Sequence, residues 1–162
     1  MSSVILGIDP GSRHTGFGVF QGEGNRLEYL AAGSINPGSK NPLADRLRHI
    51  FDSLTVLVHR HRPQALALEE VFLAANVKSA FTLGQVRGIV LLLAAQSSLP
   101  VFHYPPLAVK KAVVGYGQAT KAQVQLMVEQ LLGQKVTDEH AADALAVGLC
   151  HYFHQRWLDV SS

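Results

Sequence analysis

The first cluster of apolar residues, Val4 to Ile8, is a short aliphatic run that ends on a charge, Asp9, followed by the turn pair Pro10-Gly11. Alternation resumes over residues 15–20 and again over 27–35, with Gly22 and Gly24 between the two stretches and Asn36-Pro37-Gly38 after them. This spacing predicts three antiparallel strands joined as a meander. After Pro42 the period changes: Leu43, Leu47, Ile50, Leu54, Leu57 and Val58 recur at helical spacing and stop before Pro63. Residues 65–71 form an apolar run interrupted by Glu69-Glu70, which, coming after a helix, predicts a buried parallel strand. Beyond it the pattern predicts a helix over 77–96, a strand over 101–104, and helices over 105–114, 121–132 and 139–154. Three antiparallel strands followed by helix–strand alternation imply an α/β fold, a mixed sheet with helices on both faces. No repeat, linker or low-complexity stretch divides the chain, so one domain over residues 1–157 with a short tail at 158–162 is expected.

Composition narrows the class. Apolar residues make up 48% and charged residues 16% of 162 positions, which suits a packed globular chain and excludes a disordered one. The single cysteine, Cys150, allows neither an internal disulfide nor a thiolate metal cluster. No basic stretch precedes the first apolar run, and the longest uninterrupted one, residues 89–95, is too short to cross a bilayer. A soluble cytoplasmic protein without a membrane partner is therefore expected. Net charge is only +2, but between residues 76 and 137 six cations face a single anion, Glu129. A basic middle beside isolated carboxylates suits a polyanion held next to a metal site.

The carboxylates carry the chemistry. Asp9 closes the first strand, and Glu69 lies inside the predicted central parallel strand, where a charge is costly unless it is paired or binds a cation. His140 and Asp143, three residues apart on the last helix, share one face of it. If the two strands are neighbours, all four side chains can converge. Clustered carboxylates repel one another unless cations neutralise them, and an oxygen-rich set favours Mg²⁺ or Mn²⁺. Two such ions per site would suit phosphodiester cleavage. Taken singly, Asp9 also reads as a turn residue, Glu69 as half of a buried ion pair and Asp143 as a surface charge.

Five segments then carry a resemblance: ILGIDPGSRHTGFGV (residues 5–19), ALEEVFLAANVKSA (67–80), LGQVRG (83–88), VKKAVVGYGQATKAQVQLMV (109–128) and HAADALAVGLCH (140–151). In order and over most of the chain, they resemble the RuvC family of bacterial crossover junction (Holliday junction) endodeoxyribonucleases. The resemblance implies a ribonuclease H-like fold, a homodimer, and metal-dependent symmetric nicking of a four-way DNA junction in concert with the RuvA and RuvB branch-migration proteins. It implies that Asp9, Glu69 and Asp143 are metal-binding carboxylates. His140 stands where many members have a fourth. It further implies that Phe72 stacks on bases near the crossover and that Lys110 and Lys121 hold phosphates of the scissile strand.

The histidine is a departure. It removes one negative charge and one hard oxygen ligand, so a preference for Mn²⁺ over Mg²⁺ is expected. Asp138 and Glu139, just upstream, are expected at the helix start, although either could replace the missing oxygen. Lys110 and Lys111 diverge by about a hundred degrees on a helix, so one of them, Lys110, is expected to face phosphates. His14 is a candidate DNA contact, and His151 and His154 are expected at the surface. The 77–96 helix, apolar nearly all round in its second half, is expected to contribute to a subunit interface. Two other readings remain: a junction-binding protein without catalysis, and a nucleotide phosphotransferase of the actin-like kind. The latter is suggested by Asp9-Pro10-Gly11-Ser12 alone and needs a second phosphate loop for which 162 residues leave little room.

Overall fold

The aliphatic run at the start of the chain becomes β1 (Ser3–Asp9), the middle strand of a five-stranded sheet. The computed structural model describes residues 1–70 and 76–162. β2 (Thr15–Glu23) and β3 (Arg26–Ile35) pair antiparallel on one side of β1, and β4 (Ala65–Glu69) and β5 (Val101–Tyr104) run parallel to it on the other, in the order β3-β2-β1-β4-β5. The β2–β3 hairpin turns at Gly24, whose φ of 58° is the left-handed conformation a tight turn requires. Leu30 is the extra residue of an irregularity opposite Val19 and Phe20.

Side chains alternate across β1 and β4, so each face of the sheet receives its own core. Leu6, Ile8, Leu66 and Leu68 pack under α1 (Leu43–His61) and α2 (Val77–Gln96). Ile5, Ala65 and Ala67 pack against α3 (Pro106–Val114), α4 (Lys121–Leu132) and α5 (Glu139–Ser161). The register sets Ile8 beside Leu68, which brings the C-terminal ends of β1 and β4, and so Asp9 and Glu69, to one edge of the sheet.

α5 lies unusually close to the sheet because β1 and β2 present glycine to it. A Cβ added at Gly7 would fall 1.9 Å from the Ala144 carbonyl oxygen, and one at Gly16 would fall 2.1 Å from that of His140. Ala141, Ala142, Ala144 and Ala146 supply small side chains on the helix, and all are buried. Backbone contact of this kind fixes the height and rotation of α5, and with them the positions of His140 and Asp143.

Several boundaries differ from the sequence pattern. β4 ends at Glu69; Glu70 lies beyond the strand but still donates its N–H to the Tyr104 carbonyl, and the remaining predicted strand residue, Val71, is outside the described residues. α5 runs on to Ser161 rather than stopping at His154. No glycine or proline interrupts that stretch, and the hydroxyls of Ser161 and Ser162 donate back to the carbonyls of Trp157 and Leu158. His151 is not on the surface: only 1% of it is exposed. Its ring stacks on Phe102 at 4.2 Å, Nδ1 is 2.7 Å from the Tyr104 hydroxyl, and burial lowers its pKa to about 4, so it is neutral in the fold.

α2 has the length and apolarity of a membrane-spanning helix, yet Val86, Val90, Leu93 and Ala94 face the core. Its other side is uncovered. Phe81, Leu91 and Leu92 are exposed, and among the described residues nothing lies over Gly84 or Gly88 within 4 Å.

The close approach of α5 generates a prediction. Gly7→Ala should cost roughly 1–3 kcal/mol, the usual range for overpacking a tight core, and lower the midpoint in a thermal melt. An unchanged midpoint would show that the helix can move aside freely.

Candidate active site

Three strands and a helix end within reach of one another at the C-terminal edge of β1. Asp9 is the last residue of β1, and its turn is closed by the buried Thr15, whose hydroxyl donates to the Gly11 carbonyl at 2.7 Å. Glu69 is the last residue of β4 and lies beside Tyr104 of β5. α5 begins at an Asp138 cap, which accepts from the N–H groups of His140 and Ala141 and also binds the Ser34 hydroxyl. His140 in the first turn and Asp143 in the next lie toward the strand ends. The structure therefore places Asp9, Glu69, His140 and Asp143 at the same end of the sheet, near enough for their charges to influence one another.

The electrostatics record the crowding. Burial, and then Asp143, raise the pKa of Asp9 above the ordinary carboxylate range. Glu69 is raised by burial, then by Asp9 and Asp143, and burial raises Asp143 itself. Neighbouring side chains oppose these shifts. His140 Nδ1 lies 3.5 Å from the Asp9 carboxylate, and the Lys121 ammonium bridges Glu139 at 2.6 Å and Asp143 at 3.4 Å. Lys110, on α3, lowers Glu69 through its charge, whereas the Lys111 side chain lies against Gly117. Glu139 is thus held by Lys121, and Asp138 caps the helix and binds Ser34. Phe72 lies outside the described residues.

Two contacts were not visible in the sequence. Arg87 of α2 donates to the Glu69 carbonyl at 2.8 Å and lies 3.3 Å from His103 Nδ1, tying α2 to the strand end that carries Glu69. The His14 ring stacks on His140 at 5.1 Å and 17°. LGQVRG places Arg87 on a helix, but only the pairing of sheet and helix shows which carbonyl it reaches.

The donor set fits a divalent cation. Three carboxylates whose ionised forms repel one another stand together, and a cation, the Lys121 ammonium, already lies against one of them. Among the described residues no three acidic, imidazole or thiol side chains close on a single point as they stand. Drawing them together is the work that a dication's charge would do.

Sign follows from the direction of these shifts. Folded-state values above the unfolded ones mean that the ionised cluster opposes folding at neutral pH, an opposition relieved as pH falls through the folded-state values. Asp9→Asn should therefore melt higher than the parent in the metal chelator EDTA, by about 2–4 °C if roughly 1 kcal/mol is released. Its advantage should shrink toward the ordinary aspartate value of 3.8. A lower melting point at neutral pH would mean that Asp9 stabilises the metal-free fold.

Comparison with known proteins covers most of the chain. The family model described as crossover junction endodeoxyribonuclease RuvC matches residues 5–151. A protein of that name from Marinobacter nauticus is 52% identical over 150 residues, covering 92% of this chain and 85% of that protein. Its namesake from Pelotomaculum thermopropionicum is 44% identical, covering 95% of each. The structure of T. thermophilus RuvC in complex with a Holliday junction substrate superposes with a TM-score of 0.91 at 37% identity, covering 96% of both chains. The yeast mitochondrial Holliday junction resolvase, at 12% identity and a TM-score of 0.68, shares the fold. With its ribonuclease H-like sheet and helices, the chain belongs to the RuvC family of crossover junction endodeoxyribonucleases.

Proposed function

We propose that this protein is an endonuclease that resolves four-way DNA junctions by paired symmetric nicks in recombination and repair. The observation that carries the reading is the convergence of Asp9, Glu69 and Asp143, with His140, at the ends of β1, β4 and the start of α5. Nucleases of this family depend on divalent metal. Asp9, Glu69, His140 and Asp143 would hold two ions, Mg²⁺ or Mn²⁺, which supply an activated water and charge for the leaving oxygen when bound.

The chain's own groups do the rest. Lys121 and Lys110 hold phosphates of the scissile strand, and Glu139 keeps the Lys121 ammonium beside the site until the substrate takes it over. Arg87 steadies the end of β4 so that Glu69 points at the cluster. Phe72 stacks on bases near the crossover, an assignment that rests on the family resemblance. His140 contributes a nitrogen in place of an oxygen, which favours Mn²⁺.

Two like cuts on a two-fold-symmetric substrate need two sites in fixed relation, which an isologous dimer provides. The uncovered stripe of α2 steps by three or four residues through Phe81, Gly84 and Gly88 to the neighbours Leu91 and Leu92, and its glycines allow close helix approach. A homodimer through this stripe, working in the cytoplasm with RuvA and RuvB, completes the proposal.

A synthetic four-way junction and one of its linear arms test the activity. The protein should nick the junction and spare the arm, faster with Mn²⁺ than with Mg²⁺, and Asp9→Asn should bind the junction without cutting it. If the parent never nicks a junction with either metal, the remaining reading is a junction-binding protein without catalysis. A faster reaction with Mg²⁺ would remove the role given to His140. For the dimer, Leu92→Glu should yield a folded monomer in solution scattering at micromolar concentration; an unchanged dimer would place the interface elsewhere.

A further inference from the structure

Beside the carboxylates, on the face of the sheet opposite α5, lies a polar groove of about 700 Å³ between the turn after β1, the loop before α1 and the start of α2. Three cations line it: Arg13 from the turn, Arg46 from the first turns of α1 and Lys78 from the start of α2. Hydroxyls from Ser39, Ser79 and Thr82 stand between them, and no acidic residue is among its lining. None of the three cations forms an ion pair among the described residues. The Arg46 Nε is shielded from solvent with no acceptor among them either, an expensive state for a guanidinium nitrogen. The N-terminal amides of α2 are not the attraction, because Asn76 already accepts from those of Lys78 and Ser79.

The groove is held in place on its sides. Thr15 braces the turn that carries Arg13, and the Asn41 amide, donating to the Pro37 carbonyl, braces the loop that carries Ser39. Its position is as informative as its charge. Lys110 and Lys121 stand on the α5 side of the carboxylates, and the groove stands on the α1–α2 side, so the carboxylate cluster lies between two basic surfaces.

We infer that this groove is a second phosphate-binding subsite, taking backbone phosphates of the junction DNA where the strand continues past the cleavage site, with Arg46 as its fixed point. The inference rests on the junction-nuclease reading. A strand laid across the cluster runs from Lys110 and Lys121 on one side to Arg13, Arg46 and Lys78 on the other. A phosphate oxygen pairs with the terminal nitrogens of the Arg46 guanidinium, whose Nε is shielded, and the Ser39 and Ser79 hydroxyls donate to the same group, the Thr82 hydroxyl being already bonded to the Lys78 carbonyl.

Salt dependence of junction binding tests this directly, measured in the Asp9→Asn background so that nothing is cut. Freeing one DNA phosphate from its cation should flatten the slope of log affinity against log salt by about 0.9, equivalent to roughly an eightfold weakening at 0.1 M salt. Arg13→Gln with Arg46→Gln and Lys78→Gln should show at least one such step. The pair Arg13→Gln and Lys78→Gln, both exposed, covers the case in which the triple variant does not fold. Arg46→Lys should restore part of the affinity that Arg46→Gln removes. Arg60→Gln, at the far end of α1 and roughly 21 Å from Arg46 along the helix, is the control matched in charge to Arg46→Gln. An unchanged slope in the groove variants, or an equal change with Arg60→Gln, overturns the subsite while parental junction cutting stands. Failure of the parent to bind and cut a junction instead overturns the reading on which it rests.

Discussion

Mutual repulsion among three carboxylates is the constraint on which the rest of this structure turns. Asp9, Glu69 and Asp143 are each half-buried or nearly so, and each holds its proton more tightly than an isolated carboxylate. A fold has no reason of its own to bring such groups together, since each raises the free energy of the others. The arrangement is tolerated because two lysines stand by it, Lys121 against Asp143 and Lys110 near Glu69, and because the His140 ring lies 3.5 Å from the Asp9 carboxylate. A dication entering the cluster would return the cost stored in its metal-free form, which would couple metal binding to stability in these residues.

Rigid parts impose that proximity. Parallel pairing of β1 with β4 delivers two carboxylates to one sheet edge, and α5 delivers the third by lying almost in backbone contact with Gly7 and Gly16. Side chains on strands and helices are held more closely than side chains on loops. The position of Asp143 therefore depends on residues with no polar chemistry, glycine and alanine, whose contribution is their small size. Arg87 extends the same logic to α2, joining the helix with the uncovered apolar stripe to the strand that ends at Glu69.

Much of this was legible in the sequence. A charge ending an aliphatic run marked Asp9, a carboxylate inside an apolar run marked Glu69, and three-residue helical spacing paired His140 with Asp143. The parts that were not legible share a physical cause. α5 is buried on nearly all sides from Ala141 to Tyr152, so no polar face distinguishes His151, and its partners Phe102 and Tyr104 lie on a strand some fifty residues earlier. The carbonyl bound by Arg87 and the stacking of His14 on His140 depend on which elements pack together. So does the basic groove, which draws its cations from three separated segments.

Anomalous diffraction from crystals of the protein soaked with Mn²⁺ and left free of DNA addresses the central claim most directly. Manganese density is expected among Asp9, Glu69, His140 and Asp143, with the Lys121 ammonium displaced from Asp143. Manganese found elsewhere, with Lys121 still bridging Glu139 and Asp143, would contradict a metal-nucleating role for the carboxylate cluster.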